Sequence, residues 1–189
     1  IDGGFMRLPA NELQQVVTGN QIAGIGEDGY LARTGYVPRG YYNDPVKTAE
    51  IFRQIDGKTW CVTGDQARLD ADGMITLFGR GSTCINTGGE KVYTVEVERA
   101  LLEHPLIADA LGVGLPHPRF GKMVVAIVEG PELSQDTIDV AAIQDHAKLL
   151  LADYKVPREI YAIDSLQRAD NGKANYSFIT AYAEKMAGV

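Results

Sequence analysis

Through the first eighty positions apolar and polar residues tend to alternate, in short runs cut by glycine. A period of two is the pattern of half-buried strands. Trp60-Cys61-Val62-Thr63, Gln66 to Leu69 and Met74 to Phe78 are expected as strands, the last two joined by Asp70-Ala71-Asp72-Gly73. In that turn Gly73 supplies the positive φ a tight hairpin needs. Beyond Glu96 the apolar residues fall at helical spacing. Val95 to Glu103 predicts a helix with Val97, Leu101 and Leu102 inward, stopped by Pro105. Ala108 to Leu115 and Met123 to Glu129 are rich in Val, Ile and Leu and predict buried strands. Thr137 to Leu151 predicts a helix with Asp136 as N-cap, Glu159 to Ile163 a short strand, and Asn175 to Met186 a closing helix.

The remaining segments fill in the order. Ser82 to Asn86 and Lys91 to Tyr93 form a second hairpin, turned by Gly88-Gly89. Asp44 and Pro45 suit the N-cap and first position of a helix to Phe52, packed through Thr48, Ile51 and Phe52. Asn11 to Val16 is either one turn of helix or irregular. Gly24 to Gly29 fits G-x-G-x-x-G, yet no helix of ten or more residues follows, so Glu27-Asp28-Gly29 is taken as a tight turn between strands. Strands and helices mix without strict βαβ order, which predicts an α+β fold. The change of period near Arg80 to Thr83 divides it into a small β-rich subdomain, residues 1–80, and an α+β domain with a short central sheet, residues 81–189.

Composition narrows the function. The 189 residues carry 25 acidic and 18 basic side chains, a net charge of -7. That balance argues against a nucleic-acid partner, which calls for clustered Lys and Arg. No apolar run approaches the roughly 20 residues of a membrane span. Cys61 and Cys84 read as two thiols of a reducing compartment, with a disulfide left open. The histidines His104, His117 and His146 have no metal-ligand spacing, and no metal site is expected. Asp70-Ala71-Asp72-Gly73 opens like a calcium loop, but Gly81 stands where the bidentate Glu is required.

A few residues can carry chemistry. Asp65 follows Thr63-Gly64 at an expected strand end; a carboxylate there can accept hydrogen bonds from vicinal hydroxyls, or simply cap a turn. Arg80 offers a rigid fork of five donors. Gly88 and Gly89, lacking side chains, let another backbone or a ligand come close. Lys173 follows Asp170-Asn171-Gly172 on a turn, where a flexible ammonium can swing into a cleft and neutralise charge.

The order of these motifs carries a resemblance. Thr63-Gly64-Asp65, Asp72-Gly73, Gly79-Arg80, Gly88-Gly89-Glu90-Lys91-Val92-Tyr93, Glu96-Val97-Glu98 and Asn171-Gly172-Lys173 together resemble the carboxy-terminal motifs of the adenylate-forming superfamily. The stretch Gly79 to Lys91 is most similar to fatty-acyl-CoA synthetases of the actinobacterial type. The likeness runs from about Gly29 to Tyr176.

The resemblance implies the last subdomain of a large domain, residues 1–80, followed by a mobile lid, residues 81–189. Asp65 would bind the ribose hydroxyls of ATP, and Arg80 would contact the ribose and anchor a hinge at Ser82. The Gly88-Gly89 hairpin would line the tunnel for the pantetheine of CoA, with Lys91 either near a CoA phosphate or simply solvated. Lys173 would be the catalytic residue, bridging the substrate carboxylate and the α-phosphate. Two positions depart from the family: Ser82, where Asp or Lys is usual, and Thr94, where Pro is usual and where Thr can N-cap the next helix instead.

The phosphate loop of the superfamily is missing. The chain is therefore expected to be the carboxy-terminal part of a longer cytoplasmic enzyme, and inactive alone. That enzyme would use ATP, CoA and Mg²⁺ to activate a carboxylic acid, with the Mg²⁺ ligands and the acid pocket in its N-terminal remainder. The alternatives are an acyl-AMP ligase that loads a carrier protein, and a non-catalytic lid-like binding module. Acyl chain length and oligomeric state are not legible.

Overall fold

The computed structural model describes residues 5–80 and 84–189. The chain divides into two compact units, Ile1–Ser82 and Thr83–Val189. Both combine strands and helices in the α+β manner expected.

The first unit is one antiparallel sheet. Its strands are β1 (Met6–Pro9), β2 (Gln14–Thr18), β3 (Gln21–Ile22), β4 (Asp28–Arg33), β5 (Phe52–Ile55), β6 (Lys58–Leu69) and β7 (Met74–Arg80), in the order β1-β7-β6-β4-β2-β3 with β5 also on β6. Successive side chains leave opposite faces, so neighbours part company. Val16, Leu31, Ala67 and Ile75 pack in one cluster. Val17, Ala32, Ile55, Trp60 and Val62 pack in another. Helix α1 (Pro45–Ile51) starts as expected, with the Asp44 carboxylate accepting the Lys47 N–H at 2.9 Å.

Three expectations fail here. The region around Asn11 to Val16 is not helical: β2 begins at Gln14 and pairs with β4, because the unit needs a partner for that strand's edge. The tight turn lies at Gly24–Glu27, where the Glu27 N–H donates to the Gly24 carbonyl, while Asp28 and Gly29 already belong to β4. Strand β6 runs unbroken through Thr63-Gly64-Asp65, with a bulge between Gln66 and Ala67. Asp65 therefore sits within a strand, not at the end of one.

The second unit has the strands β8 (Cys84–Thr87), β9 (Glu90–Tyr93), β10 (Asp109–His117), β11 (Gly121–Glu129) and β12 (Glu159–Ala162). The order is β10-β11-β8-β9, and β12 lies parallel on β11. Helices α2 (Thr94–Leu102) and α3 (Val140–Lys148) bury Val97, Leu101, Ile143 and Ala147 with Ala110, Val124, Ala126 and Val128. The alternate residues Leu111, Val113, Val125 and Ile127 pack with Leu166 and with Ile179 and Ala183 of helix α4 (Tyr176–Ala187). The sheet is thus covered on both faces, and β10 and β11 carry apolar residues at successive positions through their middles. No helix among the described residues is long and apolar enough to cross a membrane.

Helix ends differ in detail. Leu102 is 43% exposed, and Ala100 takes the inward place expected of it. Thr94 does not cap α2: Tyr93 holds that position without a side-chain capping bond to the helix, and Thr94 is 1% exposed inside the first turn. Helix α3 starts later than expected because Asp139, not Asp136, receives an amide, that of Ala142 at 3.0 Å. Thr137 is engaged upstream in a turn with Ser134. Cys61 is a half-buried free thiol, and Cys84 is half-buried at the start of β8.

Candidate functional site

In the first unit, ladder register makes the site. Asp65 on β6 and Arg80 on β7 are direct Cα partners. Arg80 Nε lies 3.0 Å from Asp65 Oδ1. The Arg80 fork crosses over Gly64, where an added Cβ would stand 3.2 Å from Nη1. Glycine at this position leaves the guanidinium room to lie against the strand. The Asp65 N–H donates to Thr63 Oγ1 at 3.2 Å, and that hydroxyl donates to the Leu31 carbonyl at 3.0 Å. At 69% and 31% side-chain exposure the pair adds little stability. It does present a carboxylate with acceptor capacity beside fixed donors, an arrangement that suits vicinal hydroxyls.

In the second unit, Gly88 and Gly89 turn the β8–β9 hairpin with φ 59° and 92°. Two positive φ values in a two-residue loop match the twist of the flanking strands. The Gly88 N–H donates to the Phe120 carbonyl at 2.9 Å, and a Cβ on Gly88 would stand 3.3 Å from the Phe120 ring. Lys91 is exposed on β9, opposite Asn86. Phe120 was not foreseen as a site residue, yet it is a hub. His117 stacks on it at 4.8 Å, and the guanidiniums of Arg119 and Arg158 lie 5.3 Å and 4.5 Å from its ring centre. His117 Nδ1 accepts the amides of Arg119 and Phe120, so the proton of the neutral ring is on Nε2. An Arg-Phe-Gly turn between two buried strands was the available signal. An aromatic ring flanked by cations, beside a glycine hairpin, suits a ligand with anionic groups.

Lys173 is exposed on the loop before α4 and, among the described residues, has no ion-pair partner. The loop folds back on itself. The Gly172 N–H donates to the Ala169 carbonyl at 2.7 Å, and the Ala169 N–H to the Lys173 carbonyl at 3.0 Å. The Lys173 N–H donates to Asn171 Oδ1 at 3.1 Å, and Asn175 Oδ1 caps α4 through Phe178 N–H. Gly172 has φ 76°, which a side chain would strain.

Around this loop lies a second group that sequence reasoning missed: Glu98, Asp109, Arg168 and Tyr176. Arg168 grips Asp109 with two donors, one at 2.8 Å, and this holds the Asp109 carboxyl below its ordinary range. Glu98 is pushed the other way. Burial raises its pKa, and the bonds it accepts from Gly112 N–H (2.9 Å) and Tyr176 O–H (3.2 Å) oppose that only in part. Burial and the neighbouring Glu98 push the Tyr176 hydroxyl up to about 12.

The structure thus brings Asp65 together with Arg80, and Gly88 together with Phe120. Ser82 lies outside the described residues. Among the described residues no group of three or more His, Cys, Asp or Glu side chains is placed to hold a metal ion.

Residues 96–173 match the family described as the AMP-binding enzyme C-terminal domain. Over 168 residues, 88% of this chain, the sequence is 44% identical to a medium/long-chain-fatty-acid–CoA/3-oxocholest-4-en-26-oate–CoA ligase of Mycolicibacterium smegmatis. Over 159 residues, 84% of the chain, it is 46% identical to a 3-oxocholest-4-en-26-oate–CoA ligase of Rhodococcus rhodochrous. The chain spans only 30% and 28% of the lengths of these curated relatives. Among solved structures, o-succinylbenzoate CoA synthetase of Bacillus subtilis, in complex with its acyl-adenylate intermediate, superposes with a TM-score of 0.78 at 28% identity. That match covers 88% of this chain and 33% of the synthetase. Residues 96–173 thus carry the AMP-binding enzyme C-terminal domain, and over most of its length the chain is similar to adenylate-forming enzymes.

Proposed function

We propose that this chain is the carboxy-terminal part of an ATP-dependent fatty-acid–CoA ligase of the cytoplasm, with residues 1–80 closing the large domain and 81–189 forming a mobile lid. In the whole enzyme a carboxylate oxygen attacks the α-phosphorus of ATP. An acyl-adenylate forms and pyrophosphate leaves. The CoA sulfur then attacks the acyl carbon, its proton is lost, and AMP departs.

The observation that carries this reading is the exposed Lys173 ammonium, held on a folded-back turn with no ion-pair partner among the described residues. Negative charge grows on the phosphoryl oxygens during the first step, and a positioned cation stabilises that transition state more than the ground state. Asp65 takes the ribose hydroxyls while Arg80 holds its carboxylate in register. The Gly88-Gly89 hairpin gives passage to the pantetheine arm, and Arg119 and Arg158, with Lys91 nearby on β9, supply cations for CoA phosphates. Rotation about Ser82 exchanges the two arrangements. Mg²⁺, when bound with ATP, neutralises phosphate charge; its ligands belong to the N-terminal remainder.

The test is Lys173→Ala in the full-length enzyme. ATP–pyrophosphate exchange should fall by about 10²–10³-fold, as for other lost transition-state donors. Undiminished exchange would remove Lys173 from the reaction. The 189-residue chain alone should show no exchange, and activity there would overturn the assignment of the remaining machinery to another part of the enzyme.

A further inference from the structure

None of residues 167–178 is buried, although Leu166 and Ile179 on either side are fully packed. Apolar packing on this stretch comes only after Lys173, where Ala174, Tyr176 and Phe178 lie partly buried against the core that holds Leu166 and Ile179. Residues 167–173 belong to none of the apolar clusters, and the polar bonds that direct them include those of Arg168. Two of its nitrogens grip the Asp109 carboxylate at the start of β10, and Nη1 donates to the Gly172 carbonyl at 3.3 Å.

That last bond bears directly on Lys173. Gly172 contributes the carbonyl of the peptide that leads into Lys173. A glycine in the left-handed region is conformationally permissive, so this peptide depends on its partners: Asn171 Oδ1 takes the N–H and Arg168 the carbonyl. A flip there would re-aim the Lys173 side chain. The bidentate grip on Asp109 fixes the plane of the guanidinium, which gives the third donor a fixed direction.

The far end of the loop is tied to the same strand. Tyr176 O–H donates to Glu98, and Glu98 also accepts the amide of Gly112 on β10. Strand β10 ends the order of its sheet, so Glu98 satisfies an outward amide that no neighbouring strand takes. Residues on both sides of Lys173 are thus clasped to one strand edge.

We propose that Arg168, braced by Asp109, is a positioning residue for the adenylation step, holding the Gly172–Lys173 peptide so that the ammonium meets the phosphoryl group. The proposal rests on the reading of Lys173 given above. Arg168 itself touches no reacting atom.

The experiment uses the full-length enzyme and two half-reactions, ATP–pyrophosphate exchange and thioester formation from supplied acyl-adenylate and CoA. Arg168→Ala should lower kcat for exchange by about 10- to 100-fold, the scale of a small misplacement of a catalytic group. KM for ATP should change little. Thioester formation should be affected far less than exchange. In a Lys173→Ala background the same change should add less than about twofold, because the two residues act as a unit. Exchange of opposite charges, Arg168→Asp with Asp109→Arg, should restore the ion pair but not the rate, because a carboxylate at 168 has no donor for the Gly172 carbonyl.

If Arg168→Ala does not fold, Arg168→Lys keeps the charge and loses the fork, and should still depress exchange. Exchange at the normal rate in either folded variant, with Lys173→Ala inactive, overturns this proposal alone. Equal losses in the two half-reactions would mark a general structural role and overturn it too. Full exchange by Lys173→Ala would instead overturn the reading on which it rests.

Discussion

The Asp65–Arg80 pair and the Lys173 turn are built on opposite principles. Asp65 and Arg80 face each other because two adjacent strands are in register, so backbone hydrogen bonds place them before their side chains meet. Lys173 stands on an exposed loop whose direction depends on side chains reaching a strand from both flanks. The ladder makes a rigid site that tolerates change around it. The clasp makes a site that a single substitution can loosen without unfolding the domain. The role proposed for Lys173, acting in one step and withdrawing in the next, would suit the second kind of support.

The largest effect should come from breaking the framework beneath the ladder site. Ile75 is fully buried next to Ala67 under the β6–β7 pair. Ile75→Ala should destabilise the first unit by about 2–5 kcal/mol in denaturant melts, and Asp65–Arg80 alignment should fail with it. If nucleotide binding survived unfolding of that sheet, the ladder would not be what places the pair.

Removing the site but keeping the ladder should cost less. Asp65→Ala in the full-length enzyme should weaken ATP, measured as KM in exchange, by about 1.5–3 kcal/mol, the worth of hydrogen bonds to a charged group. Melting temperature should barely move, since the exposed ion pair contributes little. In the second unit, Asn175→Ala removes the cap of α4 and should cost about 1 kcal/mol in stability. A melt unchanged by this variant would mean that Tyr176 and Ile179 hold the helix start unaided.

The smallest effects concern pH, and the two acids of the clasp should differ in sign. Arg168 lowers the Asp109 pKa below its ordinary 3.8, so its stabilising contribution is complete above that value and is lost as pH falls through the lower, folded-state value. Wild type and Asp109→Asn should therefore converge in stability under acid conditions. Glu98 is raised above its ordinary 4.5 by burial. The folded protein keeps that proton over a range where the unfolded chain has released it, so stability falls as pH rises through the window. Glu98→Gln retains an acceptor for Gly112 and Tyr176 and should gain on wild type as pH climbs past 4.5. Parallel pH curves for Glu98→Gln and wild type would show that Glu98 is not the buried acid described.

Much of this was legible from residue types, and the reasons are local. Gly73, and Gly88 with Gly89, announced hairpins because few other residues accept positive φ. Asp44 marked a helix start because its side chain satisfies an amide that the helix leaves bare. Where two residues offered the same local solution, the choice went wrong. Asp136 and Asp139 are both good caps, and Thr137 was already committed to its turn with Ser134. Gln14 to Thr18 has no clean alternation, since Val16 and Val17 are buried on opposite faces of a sheet covered on both sides.

By itself, then, the sequence determined the local conformations and the order of motifs that identify the family, because turns, caps and periodicity involve residues a few positions apart. Only the tertiary structure decided which distant residues share a site. Arg168 and Asp109 are 59 positions apart, and Tyr176 and Glu98 are 78 apart. No pattern along the chain records such a meeting. It exists because both faces of the β10–β11 sheet must be covered, and covering them brings the middle of α2 and the start of α4 to the same strand edge.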